Sequence, residues 1–188
     1  INETEAMAFK GLVQMIGGSV SDLVSSFKTW ENKAKGLGLP ISGFEAAIIG
    51  AYSNGAYGAV NAALRSGSVT MQQHLFAKVA NKALSRMPAH TGKVTRGANL
   101  SAEQQALYIA GNVVEERALT STSTGSGFGG NTSFVVTAIG KRGHDIQKLS
   151  HYPHEKEVLF RARTFFKVTK VEGKPGSKMT VHMEEIDD

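Results

Sequence analysis

The sequence predicts an α+β domain in which the helices precede the strands. Apolar residues recur at helical spacing through the first half of the chain, whereas short β-type runs separated by Gly- and Pro-containing turns fill the second half. This order argues against an alternating βαβ fold. A chain of 188 residues is long enough for one domain with a sizeable core.

Helical segments account for most of the first half. The predicted segments are Glu3–Ile16, Ser21–Trp30, Ser42–Leu64 and Thr70–Met87. Ser42 with Glu45 three residues later has the spacing of a capping box, and Thr70 is a second candidate N-cap. The last segment ends before Pro88, which cannot continue a helix.

Six β-type runs follow. They are Lys93–Arg96, Ala118–Ser123, Ser133–Ile139, Glu157–Phe160, Thr164–Val171 and Met179–Ile186. In the last run Thr180 and His182 alternate with Val181 and Met183, a pattern typical of a half-buried strand at the edge of a sheet.

The composition of the chain excludes several kinds of functional site. The chain has no cysteine, which excludes disulfides, thiolate metal sites and Cys nucleophiles. The net charge is +5 and the pI about 9.5, which is compatible with anionic ligands or simply with solubility. No run approaches the roughly 20 apolar residues that span a bilayer, and no signal-peptide pattern is visible. Because the chain begins at Ile1 rather than Met, we expect it to be part of a longer protein.

Three short motifs carry groups suited to catalysis. Arg96 and Gly97 end a predicted strand, where an arginine can contact a phosphate and a glycine admits a ligand to the backbone. Ser121–Ser123 places polar residues in series on a second strand. Glu155 and Glu157 precede an apolar run and would point to the same face of a strand. Taken singly, each motif is also explained by an exposed surface.

In this order the motifs resemble the arginine–serine–glutamate class of mono-ADP-ribosyltransferase toxins and effectors. Gly143–Ile146 is similar to the family's approach to the catalytic turn. Tyr52, Tyr57 and Asn61 have the spacing of a helical element in the actin-modifying binary toxins, and Leu64 and Arg65 follow as expected there. The resemblance covers roughly Ser42–Val171. Two departures are Thr95, where Tyr is common, and a short glycine-rich loop after the Ser-Thr-Ser strand.

The resemblance implies a fold and an activity. The fold is a helical N-terminal half packed on a two-sheet β core, with residues 1–188 as one catalytic domain and 1–40 as a helical extension. The activity is transfer of ADP-ribose from NAD+ to an acceptor side chain, arginine above all, with release of nicotinamide and without a metal. The acceptor would be a protein such as actin, a small GTPase or a bacterial protein. Relatives are exported bacterial or injected phage proteins that act in the target-cell cytoplasm.

The same resemblance assigns the catalytic roles. Glu157 would stabilise the oxocarbenium ion that forms on the ribose, as a carboxylate does in glycoside hydrolysis. Ser121 would hydrogen-bond Glu157 and aim it, and Glu155 would orient or deprotonate the acceptor. Arg96 would hold the pyrophosphate, helped by Asn61.

The remaining predicted contacts surround NAD+ and the acceptor. Gly97 would offer backbone groups to the nicotinamide amide, and Phe128 would stack near the nicotinamide. Tyr152 would contact the acceptor or pack against Pro153. The other predicted NAD+ contacts are Tyr52, Tyr57, Thr122 and Ser123.

Two further functions stay open at this point. An NAD+ glycohydrolase would use the same residues with water as acceptor, although Glu155 favours transfer. A non-enzymatic basic module that binds nucleic acid would need interleaved basic and aromatic residues. Only Arg161–Lys167 offers such a pattern, and it is also explained as a core strand. His151 and His154 lack the helical context of a zinc site.

Overall fold

The computed structural model describes residues 20–52, 57–125, 129–149 and 153–187, together with positions 2, 3, 6, 7 and 10. The helices within these ranges are α1 (Val20–Gly36), α2 (Gly43–Ala51), α3 (Tyr57–Ser66), α4 (Met71–Leu84) and α5 (Ala102–Gln105). The strands are β1 (Ala89–Ala98), β2 (Val113–Glu116), β3 (Thr120–Ser123), β4 (Thr132–Asp145), β5 (Glu157–Phe160), β6 (Thr164–Glu172) and β7 (Met179–Glu185). A 3₁₀ turn, Pro153–Glu155, precedes β5. The described helices are all too short or too polar to span a bilayer.

Side-chain capping starts two of the four longer helices as predicted. The Ser42 hydroxyl accepts from the Glu45 amide while the Glu45 carboxylate accepts from the Ser42 amide. Thr70 and Gln73 form the same reciprocal pair at α4. Within the predicted segment Ser42–Leu64 the described helices are α2, Gly43–Ala51, and α3, which begins at Tyr57, and residues 53–56 lie outside the described part. The predicted helix Glu3–Ile16 falls largely outside the described residues.

One seven-stranded sheet holds the second half, in the order β1-β3-β5-β4-β7-β6-β2. The long strand β4 pairs with β1 and β5 in antiparallel fashion and with β7 in parallel. Because β1 pairs with both β3 and β4, the strands β1, β3, β5 and β4 form a closed ring of pairings. The strand β4 belongs both to this ring and to the series β4-β7-β6-β2. All seven strands are therefore hydrogen-bonded into one sheet.

The last strand corrects one prediction. Met179–Glu185 alternates in burial as expected, yet β7 lies between β4 and β6 and is not an edge strand. Alternation reports that one face of a strand is more solvated, whereas edge position depends on neighbours in the sheet plane. The edge strand is β2, which pairs with β6 alone among the described strands. Neither β2 nor the short helix α5 is predicted from the sequence.

Two apolar clusters meet at β5. One lies between the helices and the sheet and includes Phe44, Phe76 and Leu159. The other lies among the strands and includes Val158 and Phe160. All four residues of β5 are buried. The strand that begins with Glu157 is therefore packed on both faces, which fixes the position of its first residue.

Candidate active site

A buried carboxylate lies at the start of β5. Glu157 is 5% exposed, and the Ser121 hydroxyl donates to its Oε2 atom at 2.7 Å. The β3–β5 ladder brings the two together, since Ser123 pairs with Glu157 and Ser121 with Leu159. Burial raises the pKa of Glu157, the hydrogen bond from Ser121 lowers it, and the negative charge of Glu155 raises it. The predicted pairing of Ser121 with Glu157 is present.

The second glutamate is placed differently from the prediction. Glu155 is exposed and ends the 3₁₀ turn, and β5 begins only at Glu157. Lys156 between them has φ 49°, in the left-handed region. The expectation that the two carboxylates share one face of a strand is therefore wrong, because a left-handed residue breaks the strand alternation. The two still lie close enough for the charge of Glu155 to act on the pKa of Glu157.

Three of the four hydroxyls of β3, those of Ser121, Thr122 and Ser123, bind the segment that carries the glutamates. Ser121 binds the carboxylate of Glu157, whereas Ser123 donates to the Glu155 carbonyl oxygen at 2.5 Å. Thr122 is buried and donates to the Val158 carbonyl oxygen at 2.7 Å. As alternate residues of a strand, Ser121 and Ser123 face one side and Thr122 the other. Polar residues in series on this strand thus have a structural reason beyond exposure.

Two arginines lie close enough to Tyr52 and Tyr108 for their charges to act on the pKa of both tyrosines. Arg96, near the end of β1, is half-buried with its guanidinium carbon 5.2 Å from the centroid of the Phe134 ring. Arg65 is exposed in the last turn of α3. Burial raises the pKa of Tyr52 and Tyr108, and the charges of both arginines oppose that rise at both tyrosines. Within the described ranges neither arginine has an ion-pair partner.

Arg65 follows the Tyr52–Asn61 element where the resemblance expects it, although the sequence assigns it no role. That its charge acts on the same two tyrosines as the charge of Arg96 becomes visible only in the folded chain. Two guanidinium groups without carboxylate partners suit an anion with two phosphate groups.

The helical Tyr–Asn element is partly internal. Tyr52 is 2% exposed, and its hydroxyl lies 3.4 Å from the Leu119 carbonyl oxygen and accepts from the Asn61 side-chain amide at 3.0 Å. Asn61 is also buried, and its Oδ1 atom has no hydrogen-bond partner among the described residues. The side chain of Tyr57 lies outside the described part. Tyr52 therefore joins the helical layer to the residue just before β3.

The glycine-rich loop packs directly on Gly97. A Cβ atom at Gly97 would lie 2.2 Å from the Gly129 carbonyl oxygen, so no larger residue fits there without movement. The Thr95 hydroxyl is 3.3 Å from the Ser123 carbonyl oxygen and 3.1 Å from that of Gly125. Thr95 thus holds the start of this loop. Phe128 and Tyr152, the two aromatic residues predicted to contact ligands, lie outside the described residues.

Comparison with known proteins finds one family and several relatives. The family model of the ADP-ribosyltransferase exoenzymes matches residues 25–185. A Mycobacterium avium protein named as the NAD(+)–arginine ADP-ribosyltransferase Mav is 35% identical over 148 residues, which are 76% of this chain and 18% of that protein. The NAD(+)–protein-arginine ADP-ribosyltransferase Tre1 of Serratia proteamaculans is 34% identical over 123 residues, 65% of this chain and 27% of that protein.

A solved structure shares the fold. The type III effector XopAI of Xanthomonas axonopodis pv. citri superposes with a TM-score of 0.86 at 16% identity, covering 100% of this chain and 84% of that one. The chain itself spans less than a third of each of the two curated relatives.

Proposed function

The chain belongs to the ADP-ribosyltransferase exoenzyme family, and from this premise we propose that it transfers ADP-ribose from NAD+ to an arginine side chain of a target protein. The observation that carries the proposal is the buried Ser121–Glu157 pair with Glu155 exposed beside it. A fixed carboxylate next to an accessible one supplies the two groups that the reaction needs.

The first step breaks the bond between nicotinamide and the anomeric carbon of the ribose. The bonding electrons leave with nicotinamide, which becomes neutral, and positive charge develops on the ribose. Glu157 stabilises this oxocarbenium ion more than the ground state, because the charge appears only as the bond breaks. The hydrogen bond from Ser121 favours the ionised form against the effect of burial and holds the carboxylate in one orientation, so little reorganisation accompanies the step.

The second step joins the acceptor to the anomeric carbon. A free guanidinium is protonated and is a poor nucleophile. Glu155 is exposed and can accept a proton from it as the nitrogen attacks. The proton leaves to Glu155 and the new N–C bond replaces the bond to nicotinamide.

Arg96 and Arg65 together bind the diphosphate of NAD+. Both guanidinium groups lie near Tyr52 and Tyr108, and neither has a carboxylate partner in the described part of the chain. Asn61 has a second candidate contact besides the phosphate expected from the sequence. One N–H of its side-chain amide donates to Tyr52, and its Oδ1 atom has no partner among the described residues; this acceptor suits a ribose hydroxyl.

The remaining contacts keep the roles given by the family resemblance. Gly97 faces the nicotinamide amide with its backbone, Phe128 stacks near the nicotinamide and Tyr152 meets the acceptor, while Tyr57 assists at the phosphates. The effector named XopAI and the two named transferases support a toxin or effector that is exported or injected and modifies a protein in the target cell.

The proposal is tested with NAD+ and the arginine analogue agmatine. Nicotinamide and ADP-ribosyl-agmatine are quantified by mass spectrometry with and without agmatine, and Glu157→Gln serves as the inactive control. We expect nicotinamide release both with and without agmatine, and the ADP-ribosyl-agmatine adduct only when agmatine is present. Release without any adduct would make the protein a glycohydrolase, and no release in either arm would refute both activities.

A further inference from the structure

The turn that carries Glu155 is held in a conformation that its sequence does not favour. Lys156 and Arg163 are the two non-glycine residues with positive φ in the described ranges, and Lys156 separates the two glutamates. A lysine in the left-handed region crowds its Cβ against its own backbone, so the surrounding structure has to hold it there.

Three hydrogen bonds provide this constraint. The Ser123 hydroxyl donates to the Glu155 carbonyl oxygen at 2.5 Å and accepts from the Gly125 amide at 3.0 Å. The Thr124 amide donates to the Lys156 carbonyl oxygen at 3.1 Å. Ser123 thus uses both its donor and its acceptor capacity, and it ties the turn to the start of the glycine-rich loop.

The two serines of β3 act on different parts of the glutamate segment. Ser121 reaches the carboxylate of Glu157, which the β3–β5 ladder already fixes. Ser123 reaches the backbone of Glu155, which lies outside the ladder. Without the Ser123 hydroxyl, Lys156 can relax toward a right-handed or extended conformation. That rotation would move Glu155 while Glu157 stays in place.

We propose that Ser123 is the positioning residue of Glu155, acting through the left-handed Lys156, and thereby sets transfer to the acceptor apart from cleavage of NAD+. The inference rests on the proposed function, since it concerns the acceptor step of that reaction. In the Ser-Thr-Ser strand, Ser121 then orients Glu157 and Ser123 positions Glu155.

The test compares Ser123→Ala with Ser121→Ala in two assays. In Ser123→Ala, transfer to agmatine should fall by about tenfold or more, because a displacement of about 1 Å is enough for such a loss. Nicotinamide release without acceptor should fall much less, so that the ratio of transfer to release drops, since Glu157 and Ser121 are untouched. Ser121→Ala should lower both activities together. Ser123→Thr keeps the hydroxyl and should restore transfer.

A second readout does not depend on activity. Hydrogen exchange of the Thr124 amide, followed by NMR in the ligand-free protein, should accelerate in Ser123→Ala and remain slow in Ser121→Ala. Unchanged Thr124 exchange in Ser123→Ala, or a parallel fall of both activities in that variant, would overturn the inference. A wild-type protein that releases no nicotinamide refutes the proposed function instead, and the Thr124 exchange still decides whether Ser123 holds the turn.

Discussion

The start of β5 and the turn just before it place two glutamates in contrasting environments. Glu157 belongs to a strand buried on both faces and accepts a hydrogen bond from Ser121. Glu155 is exposed, and within the described residues its carboxylate has neither a hydrogen bond nor an ion pair, so its position depends on its backbone. A carboxylate that meets a transient cation has to be fixed beforehand. One that meets a macromolecular acceptor has to be accessible.

The largest effect should follow the loss of the fixed carboxylate. Glu157→Gln removes the charge and keeps the shape, so both nicotinamide release and transfer to agmatine should fall by about 10²–10³-fold. The affinity for NAD+, measured by calorimetric titration, should change much less. If Glu157→Gln keeps nearly all of its activity in both assays, the contrast between the two glutamates has no catalytic meaning.

Glu155→Gln should separate the two activities. Transfer to agmatine should fall by about 10²-fold, the lower range for the loss of a general base. Nicotinamide release without acceptor should fall only by a few-fold, because the oxocarbenium ion is still stabilised. The two rates are measured on one preparation. Equal losses in both rates would mean that Glu155 and Glu157 share one role.

Loss of Arg96 or Arg65 should weaken NAD+ binding without changing the ratio of the two activities. Each Ala variant should raise the dissociation constant for NAD+ by about tenfold, the value of one charge-assisted hydrogen bond to a phosphate. Arg117→Ala removes an exposed arginine before β3 and serves as the charge control. Calorimetry that finds Arg65→Ala equal to Arg117→Ala would remove Arg65 from the diphosphate site.

The smallest expected effect concerns stability, and it should separate the glutamates once more. Burial raises the pKa of Glu157 in the folded protein above the ordinary value of 4.5, so the fold favours its protonated form. This contribution is fully present below pH 4.5 and is lost as the pH rises through the raised pKa. Glu157→Gln should therefore melt at a higher temperature than wild type near pH 7, and the gain should vanish toward pH 4.

Exposed Glu155 provides the matched control for that experiment. Glu155→Gln should leave the melting temperature at pH 7 close to that of the wild type, apart from the relief of its repulsion with Glu157. Thermal denaturation of the three proteins between pH 4 and pH 8 checks both statements. A Glu157→Gln variant that melts lower than wild type at pH 7 would show that its carboxylate stabilises the fold.

Much of the architecture follows from local patterns in the sequence. The caps at Ser42 and Thr70 and the start of β5 at Glu157 are confirmed. The α+β class and the family are confirmed as well. The caps and the strand start depend on residues within a few positions of one another, where spacing alone decides which groups meet, whereas the class and the family follow from the order of elements and motifs along the chain.

The features that only the tertiary structure decided are contacts between segments that are distant in the sequence. Ser123 and Glu155, which share a hydrogen bond, are 32 positions apart in the sequence. Beside this bond Lys156 is left-handed, where the sequence predicts that Glu155 and Glu157 share one face of a strand. The charges of Arg65 and Arg96 act on the same two tyrosines only in the folded chain, and β7 acquires neighbours on both sides only when β4 and β6 pair with it. Periodicity shows which face of an element is buried, but pairing between elements depends on contacts that close long stretches of chain.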